Sequence, residues 1–423
     1  MDPEPPGDVV RRRDDAAASW VAADDERLRA QLRLLELLHG REEGVEVEVG
    51  DNAGGTRDDE SMIDAPALPP PAIVAPAPRE VSFGLVAGTV PRGTERIIVK
   101  IGRSVAAVEP VRGRTFSVTV RLVAGSTSVA VTAIDGLNRR STSTVRPVFA
   151  LPPHSDPRLR TARLDPVLGR HLRRLAQEHG GTSGIYVQDL RTGEGAAWNA
   201  KARFPAGSTL KLAIAVTVLR NLHGKPSPSS GVGGLLAKML VSSDNAAANA
   251  LEVWLGGSTA AGSDRVNETM RALGLTDSLM YGGYETPRRP EAGRPIPIRV
   301  ESQPAFGVGK YTTAADLARL ARAVYLAAVG QGPLLRLGVT GSEARYLLWL
   351  LAQVTDRGKL DRFVDPAVAV LHKAGWLTDA RHDNGVVAFE GGVLVATVMT
   401  WRTRRADELA GRVALVSLQR FVR

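Results

Sequence analysis

Ser208 and Lys211 stand three positions apart, and Leu212, Ala213, Ile214, Ala215, Val216, Val218 and Leu219 follow them. A segment apolar on nearly every side predicts a buried helix. The three-residue spacing puts both polar side chains on one face of it. A lysine there is costly unless it is paired or neutralised. It can serve as a base for the serine hydroxyl, or as a charge that lowers the barrier to serine attack. The same two residues also suit a helix-capping serine and a lysine snorkelling from the helix start.

Two further groups carry chemistry. In Ser242-Ser243-Asp244-Asn245, Ser243 has a hydroxyl that can pass a proton and Asn245 an amide that can hold a substrate amide. Asp244, and Asn249 four residues after Asn245, suit loop fixing; alone, the group reads as a helix N-cap. Leu371-His372-Lys373-Ala374-Gly375-Trp376 reads as a strand. Lys373 there offers a positive charge to an anionic substrate group, and Gly375 lets a ligand approach the backbone. The plain alternative is a surface strand with a solvated lysine.

The chain has 423 residues and no cysteine, which excludes a disulfide framework, a thiol nucleophile, an iron–sulfur cluster and Cys-ligated zinc. Its seven histidines show no metal spacing, so neither metal nor cofactor is expected. No His-Glu-x-x-His site, phosphate-binding loop or Gly-x-Ser-x-Gly elbow is present. No apolar run reaches 18 residues, and Asp14, Asp15, Asp24, Asp25 and Glu26 interrupt the place of a signal peptide. Met1–Asp64 holds 18 acidic and 8 basic residues, net −10, whereas the remainder holds 46 basic and 27 acidic, net +19. A basic body can meet an anionic partner, but no basic stretch is interleaved with aromatics, so nucleic acid is not expected.

The elements that position these groups follow from periodicity. Residues 1–64 read as an acidic, largely disordered tail with one amphipathic helix marked by Leu28, Leu32, Leu35 and Leu38. Six prolines between Pro66 and Pro78 make 65–79 a semi-rigid linker. From 80 to 150 the apolar period is two, as in Phe116, Val118, Val120 and Leu122, which predicts a small β-sandwich. Residues 155–423 mix helices and strands. A helix at 165–179 and a hairpin at 184–199 come first, then a mostly helical middle over 208–351, strands near 370–376, 385–389 and 393–401, and a helix at 407–422. Strands at both ends imply an antiparallel α+β sheet, closed where the terminal segments meet and flanked by a helical subdomain.

The ordered set Ser-x-x-Lys, Ser-Asp-Asn about 35 residues later and Lys-x-Gly about 130 residues further resembles the penicillin-recognising serine hydrolases. Phe204-Pro205-Ala206, Asn249 and Tyr311-Thr312-Thr313 resemble class A β-lactamases, and Lys373-Ala374-Gly375-Trp376 with Arg381-His382-Asp383 resembles a β-lactamase-like subgroup of actinobacteria. Residues 80–150 resemble bacterial immunoglobulin-like modules in pattern. The resemblance implies that Ser208 is acylated, Lys211 activates it, Ser243 relays the proton and Asn245 orients the substrate amide. Lys373 would attract the substrate carboxylate, and the backbone N–H groups of Ser208 and Trp376, beside Gly375, would form the oxyanion hole.

Two departures stand out. Ala374 occupies a position where the family has Thr or Ser. The loop 284–304 lacks the family's Glu-x-x-x-Asn pattern; Glu285, Glu291 and Glu301 are its glutamates, with Glu301 nearest by spacing. Without that base an acyl-enzyme forms and decays slowly. The implied substrate is a small-molecule β-lactam, or a cell-wall peptide if the chain is a DD-peptidase. A non-catalytic protein binding peptidoglycan is the alternative from another class. The resemblance also implies a monomer in the cell envelope or outside the cell.

Overall fold

The computed structural model of the chain describes residues 67–153, 157, 160–222, 224–284, 294–300 and 302–422. The tail helix expected within 1–64 lies outside the described residues, as do Glu285, Glu291 and Glu301. Strand β1 (Ala72–Ala75) forms inside the proline-rich span, where the β-branched Ile73 and Val74 favour it. It pairs antiparallel with β3 (Leu85–Thr89), which pairs with β6 (Thr115–Thr119). A second sheet runs in the order β2 (Glu80–Ser82), β8 (Arg140–Ala150), β7 (Gly125–Asp135), β4 (Thr94–Ile101), β5 (Ser104–Pro110). Val86 and Phe116 from the first sheet share one core with Ile97, Val99, Val129, Val131 and Val148 from the second, which makes a two-sheet sandwich.

The sandwich is seated on the remainder of the chain, within the single unit Ala67–Arg423. Val81 and Leu151 belong to the core of the following α/β part, and Phe83 meets Tyr325 edge-on with centroids 5.8 Å apart. Glu80 is buried and accepts hydrogen bonds from Ser342 Oγ (2.5 Å), Arg345 Nε (2.6 Å) and Lys225 Nζ (3.0 Å). Burial acts to raise its carboxyl, yet Arg345 and Lys225 hold it below the usual carboxylate range.

A six-stranded sheet organises the α/β part: β14 (Ala369–Leu377), β15 (Ala380–Phe389), β16 (Gly392–Trp401), β10 (Thr182–Asp189), β11 (Glu194–Trp198) and β9 (Arg163–Leu164). The two terminal segments meet where β16 pairs antiparallel with β10 over Thr182–Asp189. Helix α1 (Pro166–His179) and the last helix, α9 (Ala406–Phe421), cover one face. On the other lie α2 (Lys211–Leu222), α3 (Gly231–Val241), α4 (Asn245–Gly256), α5 (Thr259–Ala272), α6 (Ala314–Ala328), the short α7 (Pro333–Arg336) and α8 (Gly341–Ala352). Val386, Val393 and Val395 point into one core while Val387, Leu394 and Ala396 point into the other. Side chains alternate across a strand, so a sheet covered on both faces reads as a continuous apolar run.

Local signals set the ends. Asp165 caps α1, accepting from Val167 N (2.9 Å) and Leu168 N (3.1 Å), and its other oxygen takes Arg420 Nε at 2.7 Å, which ties the first helix to the last. Such a cap is worth about 1 kcal/mol. Strand β15 starts at Ala380, so Arg381, His382 and Asp383 lie on a strand despite their charge; each has a partner that keeps it there. Arg381 stacks on Trp376, His382 reaches Pro205 O, and Asp383 binds His372.

Candidate active site

Phe204 and Pro205 form β12, which pairs antiparallel with β13 (Tyr311–Thr312) and delivers the chain to a 3₁₀ turn, Gly207–Leu210. Ser208 sits on that turn, one step before α2 rather than within it. Its hydroxyl makes no hydrogen bond among the described residues, so it is open to a reacting carbonyl. Lys211 follows as the first residue of α2 and is fully buried. Its Nζ donates to Ser243 O at 2.5 Å and to Asn245 Oδ1 at 2.6 Å. Burial at such cost is tolerated because these acceptors replace water.

The bend between α3 and α4 supplies those acceptors. Ser243 has φ +59, a left-handed conformation uncommon for a residue with a Cβ and one that concentrates at functional sites. Asp244 caps α4 by accepting from Ala247 N at 2.6 Å, which places Asn245 at the helix start with its amide toward Lys211. Asn249, one turn on, accepts from Tyr284 N at 2.6 Å and so fixes the loop that crosses the site.

Strand β14 closes the third side. It is the edge strand of the large sheet, and its outer edge abuts the nucleophile turn. A Cβ on Gly375 would lie 2.9 Å from Ser208 N and 3.0 Å from Thr209 N, and one on Gly207 would lie 3.4 Å from Trp376 N. The backbone of Gly375-Trp376 therefore runs directly against the backbone of Ser208, as a pair of oxyanion donors requires. Lys373 is fully buried rather than solvated; its ammonium donates to Ser243 Oγ and to Ala374 O, both at 2.9 Å. Burial lowers its pKa to about 8, although Asp356 and Asp383 act to raise it. Trp376 projects its indole into solvent, 63% exposed, with the Arg381 guanidinium 5.0 Å from the ring centroid.

The two histidines of this region are structural. His382 donates from Nε2 to Pro205 O (2.8 Å) and accepts Thr400 N–H at Nδ1 (3.1 Å), and burial pushes its pKa down to about 4. It is thus a neutral peg under β12, in edge contact with Phe204. His372 points the other way, its Nδ1 at 2.8 Å from both oxygens of Asp383.

Three residues at the site carry no motif. The Tyr284 ring lies 4.7 Å from Lys211 Nζ and 4.9 Å from Lys310 Nζ. Lys310 also donates to Gly283 O at 2.7 Å, and its own carbonyl accepts from Ala206 N at 2.8 Å. Glu252 is fully buried on α4; its Oε1 accepts from Ser263 Oγ at 2.7 Å while Oε2 lacks a partner. Burial raises its pKa to about 7. Asn245, Asn249 and Glu252 occupy positions i, i+4 and i+7 of one helix, a stripe toward the site that the sequence displays once the helix is known.

A family model described as the Beta-lactamase enzyme family matches residues 167–230 and 226–421. The chain belongs to the β-lactamase enzyme family. Among solved structures, this β-lactamase-family chain resembles PBP-A with a TM-score of 0.50 at 20% identity, covering 63% of this chain and 99% of that one. An ancestral class A β-lactamase (GNCA) gives 0.48 at 21% identity, covering 60% and 100%, and a β-lactamase from Sphaerobacter thermophilus gives 0.45 at 21%, covering 60% and 97%. The PBP-A likeness places the α/β part in the β-lactamase-like fold. No curated protein matches the chain.

Proposed function

We propose that the chain is a serine hydrolase that opens an amide through an acyl-enzyme on Ser208. One observation carries this reading: two buried lysine Nζ groups converge on one residue, Lys211 on Ser243 O and Lys373 on Ser243 Oγ, on the turn side where the Ser208 hydroxyl has no hydrogen bond among the described residues. In the reaction Ser208 Oγ bonds to the carbonyl carbon and its proton passes to Lys211 in its amine form. Ser243 relays a proton to the leaving nitrogen as the C–N bond breaks, and the N–H groups of Ser208 and Trp376 hold the developing oxyanion. The Lys373 ammonium attracts a carboxylate on the substrate and keeps Ser243 oriented. With Ala374 supplying no hydroxyl, that carboxylate depends on Lys373 more heavily.

The substrate class that suits this site is a β-lactam bearing a carboxylate. The same machinery serves a cell-wall peptide ending in a carboxylate, so a DD-peptidase is the second reading. Both substrates are met outside the cytoplasm, and we place the protein there, as a monomer whose immunoglobulin-like sandwich acts as a spacer or contacts peptidoglycan. A fluorescent penicillin is expected to label the wild type covalently and to leave Ser208→Ala unlabelled; labelling that persists in Ser208→Ala would remove the nucleophile. Release of D-Ala from a muropeptide, without β-lactam turnover, would select the peptidase reading.

A further inference from the structure

The five-stranded sheet of the sandwich turns one face to the core and the other to solvent. Ile97 and Val99 of β4 and Val129 and Val131 of β7 point into the core. On β8, Ser143 points the same way, its Oγ donating to Pro71 O at 2.5 Å. Side chains alternate across a strand, so Arg96 and Lys100 of β4, Ala130 and Thr132 of β7, and Arg140, Thr142 and Thr144 of β8 point outward. The antiparallel register sets them in rows, Arg96 beside Ile134 and Arg140, and Lys100 beside Ala130 and Thr144. Both arginines, Lys100, Thr142 and Thr144 are exposed. The hydroxyls of Thr132 and Thr142 meet across the strands at 2.8 Å.

Long cationic side chains therefore stand on β4 and β8, with a low lane over the small residues of β7 between them. Two interstrand spacings make the lane about 10 Å wide, and the rise from Arg96 to Lys100 makes it about 13 Å long. Arg103, on the turn between β4 and β5, and Arg146, near the end of β8, are exposed and continue the two ranks. The outward positions of the lane carry no carboxylate, and two nearby acids are engaged elsewhere: Asp135 accepts from Arg139 Nε at 2.7 Å, and Glu80 holds Arg345. Residues 80–150 contain ten basic and four acidic residues, net +6, so about a fifth of the basic body holds about a third of its net charge. Arginine forks match phosphate oxygens, and threonine hydroxyls donate to them. The lane offers no aromatic ring on which a nucleic-acid base would stack. Two ranks with a low floor suit one extended chain, whereas a bilayer would touch only the tips of the cations.

We propose that the outer face of β4, β7 and β8 binds an extended, phosphate-bearing polymer, which lies along β7 between the two ranks of cations. This inference rests on the sandwich being a contact module rather than a spacer, and it is independent of the chemistry at Ser208. It makes the sandwich a tether that holds the hydrolase part at a phosphate-rich surface. Neutralising phosphates releases their counterions, so the affinity falls as salt rises.

The test titrates the full chain into fluorescently labelled inorganic polyphosphate over a salt series, read by anisotropy, with thermal melts to establish folding. Three proteins are compared: wild type, the lane variant Arg96→Gln/Lys100→Gln/Arg140→Gln, and a control, Arg170→Gln/Arg174→Gln/Arg271→Gln, which removes the same charge from exposed positions on α1 and α5. The lane variant is expected to bind at least about tenfold more weakly at about 0.1 M salt, with a log–log salt slope shallower by about two, and each single lane substitution lowers the slope by about 0.7. The control is expected to stay within about threefold of wild type. Equal loss in the control and the lane variant overturns the inference, because net charge and not the lane would then attract the polymer. Tighter binding of poly-L-glutamate, duplex DNA or phosphatidylglycerol vesicles at equal charge assigns the face to another partner and also overturns it. Equal binding of purified peptidoglycan by wild type and lane variant, with no binding of polyphosphate, overturns the inference while the sandwich stands as a contact module.

Discussion

Gly375→Ala probes the contact on which the oxyanion site depends. The residue has ordinary strand conformation, so alanine carries no backbone penalty there, and only space is at issue. Its Cβ would sit 2.9 Å from Ser208 N and 3.0 Å from both Thr209 N and Thr209 Cγ2. Two of those atoms are backbone and cannot swing away. Ordinary carbon contacts are about 3.5–4.0 Å, so the edge of β14 has to retreat by roughly half an ångström. A displacement of 1 Å at a reacting centre costs on the order of 10²-fold, and productive geometry tolerates about 0.5 Å. The acylation rate constant is therefore expected to fall about 10–10²-fold, equivalent to about 1.4–2.7 kcal/mol. The overpacked edge is expected to cost about 1–3 kcal/mol of stability in urea titration. Stopped-flow quenching with a fluorescent penicillin measures the first quantity. A Gly375→Ala enzyme that acylates at the wild-type rate would show that β14 and the nucleophile turn are not the two halves of one oxyanion site.

Further predictions concern charge. Lys373, with a pKa of about 8, is a cation below that pH and a neutral amine above it, so the second-order acylation rate is expected to fall as pH rises through about 8; a profile flat to pH 10 contradicts Lys373 as the carboxylate anchor. Glu252 has a folded-state pKa of about 7, above its unfolded value of about 4.3, so its stabilising, protonated form is lost as pH rises across that window. Glu252→Gln is accordingly expected to be more stable than wild type by up to about 4 kcal/mol at pH 8 and unchanged at pH 4, on the 1.36 kcal/mol per unit conversion; equal urea midpoints at pH 8 refute this. Glu80→Ala leaves Arg345 and Lys225 without their buried partner and is expected to cost about 3–5 kcal/mol, with the sandwich loosened from α8, read as a shifted or split calorimetric transition. A single, unmoved transition contradicts that role.

What the sequence displays follows from short-range physics. The all-round apolar stretch after Lys211 announces a core helix, and the apolar runs before Trp401 announce a sheet covered on both faces, because period and burial are local properties. The three motif segments could be ordered along the chain, but their contact could not be read from spacing. Lys373 and Ser243 are 130 positions apart and meet only when β14 packs on the turn that carries Ser208. The Tyr284 ring and Glu252 escape the sequence for a related reason. Neither belongs to a motif: Tyr284 is placed by a cation–aromatic run assembled from four segments, and Glu252 by its burial against Ser263. The extra strand at Ala72–Ala75 was hidden by the prolines around it, since Pro signals a linker more loudly than two β-branched residues signal an edge strand.

The central claim is that Ser208 becomes covalently acylated. Intact mass spectrometry of the benzylpenicillin-treated protein, followed by peptide mapping, tests it directly. The account predicts one adduct, on the peptide containing Ser208, absent from Ser208→Ala and from protein unfolded before mixing. An adduct on any other residue, or none under conditions where the folded protein is saturated with ligand, would contradict it.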